Sequence, residues 1–187
     1  MTLMRVHCSW PSFQPTLSDG VIDVRPWNID DTDWLFDACR DPDIQRWSRV
    51  SVCFALEDAE SFIQKWSSIN WASARGAEFA VVDTLTGFGL GAVGFRVSDL
   101  DSGVGEAGYW TVLDARHKRI ATRALRLLSD WVLNSCGFVR LELLIEVENE
   151  KSKATAANAG YRSNYEVKKE AWSDGASRDV VIYTRTA

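Results

Sequence analysis

Asp114–Leu125 reads D-A-R-H-K-R-I-A-T-R-A-L. The second half has helical spacing: Ala121, Ala124, Leu125, Leu128 and Val132 follow the i, i+3, i+4, i+7 rule. The first half is basic, with Arg116, His117, Lys118 and Arg119 in a row and Arg123 one turn on. A basic loop entering a helix is an anion-binding shape. The first N–H groups of a helix lack internal partners, and the dipole is positive there. Such loops usually carry glycine, which lets the backbone come close or take positive φ. Here there is none.

Working outward, the helix stops at Cys136-Gly137. Val139, Leu141, Leu143, Ile145 and Val147 then alternate with Arg140, Glu142, Leu144, Glu146 and Glu148, which predicts a strand. Asn149 is placed to cap a short Ala-rich helix that Gly160 ends. Two strands follow, near 161–171 and 178–185, with Asp174-Gly175 as the turn between them. Upstream, G-E-A-G-Y-W-T-V (105–112) reads as a strand, and 78–87 with 89–97 as an antiparallel hairpin. V-I-D-V-R-P-W (21–27) alternates and stops at Pro26. Between these lie two predicted helices. One is capped by Asp30 or Asp31 and runs through Cys39; the other spans 57–72, with Ala59, Phe62, Ile63 and Trp66 at helical spacing and Ile69 and Trp71 less cleanly placed.

The order is strand, two helices, three strands, helix, strand, helix, two strands: one mixed α/β domain over 20–187 after an irregular arm at 1–19. A chain of 187 residues suffices for one core. Nine Trp suggest aromatic walls in the core or in a pocket. The net charge of -5 argues against general affinity for nucleic acid or anionic membrane and mildly favours a cationic substrate. No stretch approaches the ~20 apolar residues of a membrane span, and the N-terminus lacks a signal-peptide run. Cys8, Cys39, Cys53 and Cys136 are scattered, as in a reduced, cytoplasmic protein. With His7 and His117 the only histidines, a site needing three is excluded.

The run from G-E-A-G-Y-W through A-R-H-K-R-I-A-T-R-A-L to E-N-E-K-S-K-A-T-A-A-N-A-G-Y resembles the GNAT superfamily of N-acetyltransferases. It is most similar to the subgroup that acetylates ribosomal-protein N-termini. The resemblance implies a mostly antiparallel central sheet flanked by helices, with the fourth strand (105–112) and fifth strand (139–147) splayed into a cleft. It implies acetyl-CoA as acyl donor and a small-molecule or peptide amine as acceptor, attacked directly without a covalent enzyme intermediate. Its phosphate loop has the pattern Arg/Gln-x-x-Gly-x-Gly/Ala. Arg116 matches the first position and Ala121 the last, while Arg119 stands where the middle glycine belongs. The resemblance therefore places the cofactor along Arg116, His117, Lys118, Arg119, Ile120, Ala121 and Thr122.

Three readings of Arg119 stay open: a negative φ that tolerates any side chain, a direct ion pair with phosphate, or a side chain that blocks the site. The family's motif also implies that Asn149 contacts the donor's pantetheine arm and that Ser152 protonates the departing thiolate. Backbone N–H groups of Trp110, Thr111 and Val112 would meet the acyl oxygen. Glu106 is the expected base, since a protonated amine must lose a proton before attack. Tyr109 reads as pocket wall, and Glu142, Glu146 and Glu148 as the polar face of their strand, with Glu146 able to meet a cationic substrate. Two other classes compete. One is a related transferase using aminoacyl-tRNA or an acyl-carrier protein, contacted by an Arg119, Arg123, Arg126 stripe. The other is a non-catalytic acyl-CoA binder. Oligomeric state is open, a homodimer included.

Overall fold

A computed structural model of the protein describes residues 10–172 and 175–187. The elements follow in the order β1 (Leu17–Ser18), β2 (Ile22–Pro26), α1 (Thr32–Cys39), α2 (Pro42–Trp47), α3 (Leu56–Ser61), α4 (Ser68–Ala72), β3 (Gly76–Asp83), β4 (Gly89–Asp99), β5 (Val104–Thr111), α5 (Ile120–Ser135), β6 (Arg140–Glu146), α6 (Glu150–Asn158), β7 (Arg162–Ala171) and β8 (Ser177–Thr186). The strands form one sheet in the order β1-β2-β3-β4-β5-β6-β8-β7. Every pairing is antiparallel except β5 with β6.

That one parallel pairing shapes the molecule. It covers only Val104–Glu106 against Arg140–Glu142. Beyond Glu106 the two strands part, while β6 stays paired with β8 as far as Glu146. The predicted fourth and fifth strands, here β5 and β6, thus splay into the expected cleft.

The two sheet faces carry different layers. Ala77, Phe79, Val81, Val93, Phe95, Ala107 and Leu141 are buried beneath α5, whose Leu125, Leu128 and Val132 have no exposed surface. Phe79 and Trp131 meet edge to face with centroids 5.6 Å apart, as do Phe95 and Phe138 at 5.3 Å. Such pairs are worth about 0.5–1.5 kcal/mol each beyond their burial. On the other face Leu35 and Cys39 of α1 join Ala59 and Ile63 in a smaller cluster that includes Phe62 and Trp110.

Three local features depart from the sequence expectation. The arm boundary moves, because Leu17 and Ser18 pair with Val24 and Asp23 and extend the sheet edge. Helix α2 is additional: Asp41 caps it by accepting from the N–H groups of Asp43 and Ile44, and Pro42 sits in its first turn, where a missing N–H costs nothing. The predicted 57–72 helix is continuous but widens into a π-helical stretch at Phe62–Ser67. The widened turns shift the helical phase. Trp71 thereby packs on Trp10 and Trp131, while Ile69 and Trp66 are left more than half exposed. The predicted turn residue Asp174 and both His7 and Cys8 lie outside the described residues. No helix among the described residues is long and apolar enough to cross a membrane.

Candidate active site

The phosphate loop keeps its glycine-type backbone without glycine. His117 has φ 62° and Arg119 φ 61°, both in the left-handed region. Arg119 is the N-cap of α5, and its side chain makes no capping bond. The negative-φ reading of Arg119 is therefore overturned. A non-glycine residue in this region costs roughly 1–2 kcal/mol, because Cβ crowds its own carbonyl. With no side-chain cap from Arg119, the first N–H groups of α5, those of Ile120, Ala121 and Thr122, are the ones a helix leaves without internal partners.

A groove of about 400 Å³ lies against this helix start. Thr111, Arg116, His117, Arg119, Ile120, Ala121, Thr122, Asn149 and Ser152 all line it, whereas Lys118 and Val112 do not. The Arg116 guanidinium is tied to Asp41 and Asp43 of α2 at 2.9 Å each, so it braces the loop as well as charging it. Burial works to raise the Asp41 carboxyl, but the Arg116 guanidinium and two backbone N–H bonds at the head of α2 outweigh it and hold the group below its ordinary range. The supposed basic stripe is not free. Arg123 pairs with Asp19, and Arg126 donates to the Asn158 carbonyl at the end of α6.

The end of β5 offers one of the three expected backbone donors to the cleft. The Val112 N–H already donates to the Leu90 carbonyl at 3.0 Å. Antiparallel ladders alternate, so Trp110, opposite Ala92, also turns its N–H toward β4, and the Thr111 N–H points the other way, into the gap left by β6. Of the three expected donors, Trp110 and Val112 are thus ruled out and Thr111 alone remains.

Across that gap Asn149 caps α6 through the Ser152 N–H, at 3.0 Å. The cap presents the Ser152 hydroxyl to Tyr109, whose phenol oxygen lies 2.8 Å away. Burial raises the Tyr109 pKa, with its hydroxyl partners opposing, so the phenol stays protonated at neutral pH. Sequence reasoning took Tyr109 for a wall; its alternation pattern gave no sign that α6 would come to rest against it.

On the opposite sheet face a larger cleft of about 650 Å³ opens under α1 and α3. Trp27, Phe54, Phe62, Trp66 and Trp110 wall it, and Trp172 closes one side, its Nε1–H donating to the Ser48 carbonyl and its ring lying under Arg49. The floor is β3, β4 and β5, with Glu78, Arg96 and Glu106 projecting from it. Glu106 is in the cleft as expected, yet both its oxygens are occupied. Oε2 accepts from Arg96 at 2.6 Å and Oε1 from Arg49 at 3.4 Å. Glu146 is not available to a substrate. It is buried, chelated by Arg46 at 2.8 and 2.9 Å and by Arg178 at 2.7 Å. Glu78 is the functional candidate that sequence reasoning passed over. It reads as one more polar residue on an alternating strand.

Tyr109, Trp110 and Ser152 line both the groove and the cleft, so the two cavities meet at these side chains. The acetyltransferase (GNAT) domain family matches residues 22–162 of this chain. The chain belongs to that family. It is 24% identical over 137 residues to an uncharacterized N-acetyltransferase, p20, of Bacillus licheniformis, covering 73% of this chain and 76% of the relative. Two solved structures share the fold. RimJ of Mycobacterium smegmatis, in complex with CoA-disulfide, superimposes with a TM-score of 0.79 at 23% identity, over 97% of this chain and 90% of that one. The microcin C7 self-immunity acetyltransferase MccE, in complex with acetyl-CoA and AMP, gives 0.80 at 21% identity, over 91% and 94%. In this GNAT chain the groove at α5 and the aromatic cleft therefore lie in an acetyltransferase fold, joined at Tyr109 and Ser152.

Proposed function

We propose that this acetyltransferase moves an acetyl group from acetyl-CoA, held in the α5 groove, to a primary amine held in the aromatic cleft. The observation that carries the reading is the meeting of the two cavities at Tyr109, Trp110 and Ser152. The donor's pyrophosphate would rest on the N–H groups of Ile120, Ala121 and Thr122, with Arg119 and His117 beside it. Asn149 and Thr111 line the path toward the junction. There the Thr111 N–H is placed to polarise the thioester carbonyl and to stabilise the negative charge that develops on its oxygen.

The acceptor is read as an ammonium on an apolar or aromatic body. Tryptophan faces attract cations, and the floor carboxylates neutralise them. Peptide N-termini and small amines both satisfy this chemistry. An amine must be deprotonated before it attacks, and Glu78 and Glu106 are the carboxylates on the cleft floor. The amine nitrogen then attacks the carbonyl carbon directly, the C–S bond breaks, and the Tyr109–Ser152 hydroxyl pair supplies the proton to the leaving sulfur.

The test is release of free CoA thiol from acetyl-CoA, measured against a panel of aromatic amines and short peptides with free N-termini. Turnover should depend on the added amine. Thiol release at the same rate with and without every amine would overturn the reading.

A further inference from the structure

We propose that Glu78, rather than Glu106, is the carboxylate that takes the proton from the acceptor's ammonium group. The assignment rests on the amine-acetylation reading above and names the base within it.

The geometry begins with a row of missing side chains. Glu78 on β3 is opposite Gly94 on β4, and Gly94 is opposite Gly108 on β5. The Glu78 carboxyl lies over Gly94. A Cβ added there would fall 2.2 Å from Oε2, so any other residue at 94 would push the carboxyl away. A Cβ on Gly108 would meet nothing within 4 Å, so the floor beyond is open. Glu78 therefore reaches across bare backbone toward the part of β5 that carries Tyr109 and Trp110, where the two cavities join.

The charged surroundings separate the two carboxylates. Both oxygens of Glu106 are engaged, one by Arg96 and one by Arg49, and Arg49 also contacts Glu170 at 3.3 Å. An ammonium reaching Glu106 would have to share its oxygens with two arginines already in place. Among the described residues the Glu78 carboxyl makes no hydrogen bond or ion pair; Arg96 acts on it only through space. The other charged side chains lining the same cleft are Arg49 and Glu106, which contact each other at 3.4 Å, and Asp58 of α3, which accepts from the Ala55 N–H. The Cys39 thiol of α1, pushed up to about 12 by burial, stays neutral. Burial pushes the Glu78 carboxyl up to about 7, opposed by Arg96, which suits a base working near neutrality.

The step balances. The ammonium gives one proton to Glu78, which returns it to water through the open mouth of the cleft. The freed lone pair forms the C–N bond as the C–S bond breaks. The second proton lost from nitrogen replaces the one that Tyr109 and Ser152 give to sulfur.

The experiment is the pH dependence of kcat/KM for wild type, Glu78→Gln and Glu106→Gln with one amine that the wild type acetylates. Wild-type activity should rise through an inflection near 7. Glu78→Gln should lose that inflection, fall about 10²- to 10⁴-fold at pH 7 with the KM for acetyl-CoA unchanged, and recover about tenfold per pH unit as free amine becomes available. Glu106→Gln should keep the inflection. Glu78→Asp, which retains a carboxyl, should keep it at a reduced rate, separating a proton-transfer role from a folding defect. A Glu78→Gln enzyme with the wild-type rate and profile would sink the assignment while leaving acetylation intact. A wild type that consumes no acetyl-CoA with any amine would sink the acetylation reading itself. A direct readout needs no turnover: ¹³C NMR of the glutamate carboxyls should show one group titrating near 7 that vanishes in Glu78→Gln. Its absence also rejects the proposal.

Discussion

The Tyr109 hydroxyl lies 2.8 Å from the Ser152 hydroxyl, bridging β5 and α6 across the wedge where β5 and β6 part. Neither residue reaches the wedge alone. The phenol comes from a strand freed of its neighbour after Glu106, and the serine from a helix whose first turn Asn149 fixes. The bridge supplies a protonated donor next to a backbone N–H that has no ladder partner.

Removing the phenol oxygen tests this directly. Tyr109→Phe keeps the ring and its packing but leaves the sulfur without its proton source. Its kcat should fall about 10²- to 10⁴-fold, and acetyl-CoA binding should hardly change. Ser152→Ala should cost less, since the phenol remains. Equal rates for wild type and Tyr109→Phe, measured with saturating substrates, would assign the proton to water.

The buried Glu146 cluster should matter to stability and not to chemistry. Its carboxylate joins α2 to β6 and β8 through Arg46 and Arg178, far from the sheet floor that carries Glu78. Glu146→Gln keeps the shape but weakens charge-assisted bonds worth about 1.5–3 kcal/mol each. Denaturant unfolding should show a loss of this order, because both the Arg178 side chain and the Glu146 carboxylate keep little access to water. Donor affinity should be unaffected, since no residue of this cluster lines the groove.

Glu78 also makes stability depend on pH, with a sign that can be stated. Its folded pKa, about 7, lies above the ordinary value of 4.5, so between those values the folded state holds a proton that the unfolded state has lost. Stability from this group is therefore full below about pH 4.5 and is lost as pH rises through 7. Wild type should lose stability relative to Glu78→Gln between pH 5 and 8 in thermal melts. A parallel pair of curves would show that the carboxyl is ionised throughout.

Much of this was legible because local rules and burial agreed. Leu141, Leu143 and Ile145 alternate and are buried; Cys136-Gly137 and Gly160 end their helices as expected, both glycines with positive φ. Asn149 reads as a cap and is one. What escaped the sequence was set by partners distant along the chain. Glu106 looks like a free base until Arg49, 57 residues away, is folded onto it. Glu78 looks ordinary until glycines on two neighbouring strands clear the space in front of it. The π-helical stretch was half visible, in the faulty period of Ile69 and Trp71, but a phase slip has no residue signature of its own. Helix α2 was readable from Asp41 and Pro42; its six residues were too few for a periodicity.

Arg119 shows the conflict between local rule and tertiary demand most sharply. Arginine disfavours φ 61°, yet the turn into α5 requires it if the helix is to start with its N–H groups open to the groove. Glycine at this position removes the Cβ clash without altering the turn. Arg119→Gly should therefore stabilise the fold by about 1 kcal/mol, less the greater chain entropy that glycine brings to the unfolded state. For a chain of this size that is an increase in Tm of about 2–4 °C at most. Donor binding separates the two readings that the left-handed backbone leaves. An arginine pairing with the pyrophosphate should lose about 1.5–3 kcal/mol of affinity when replaced, with a weaker dependence on salt. An arginine that crowds the groove should bind acetyl-CoA more tightly once removed. Calorimetric titration of both proteins with CoA at two salt concentrations decides between them. The side chain lines the groove and is exposed, so it can reach a phosphate without leaving water, and the expected outcome is the loss.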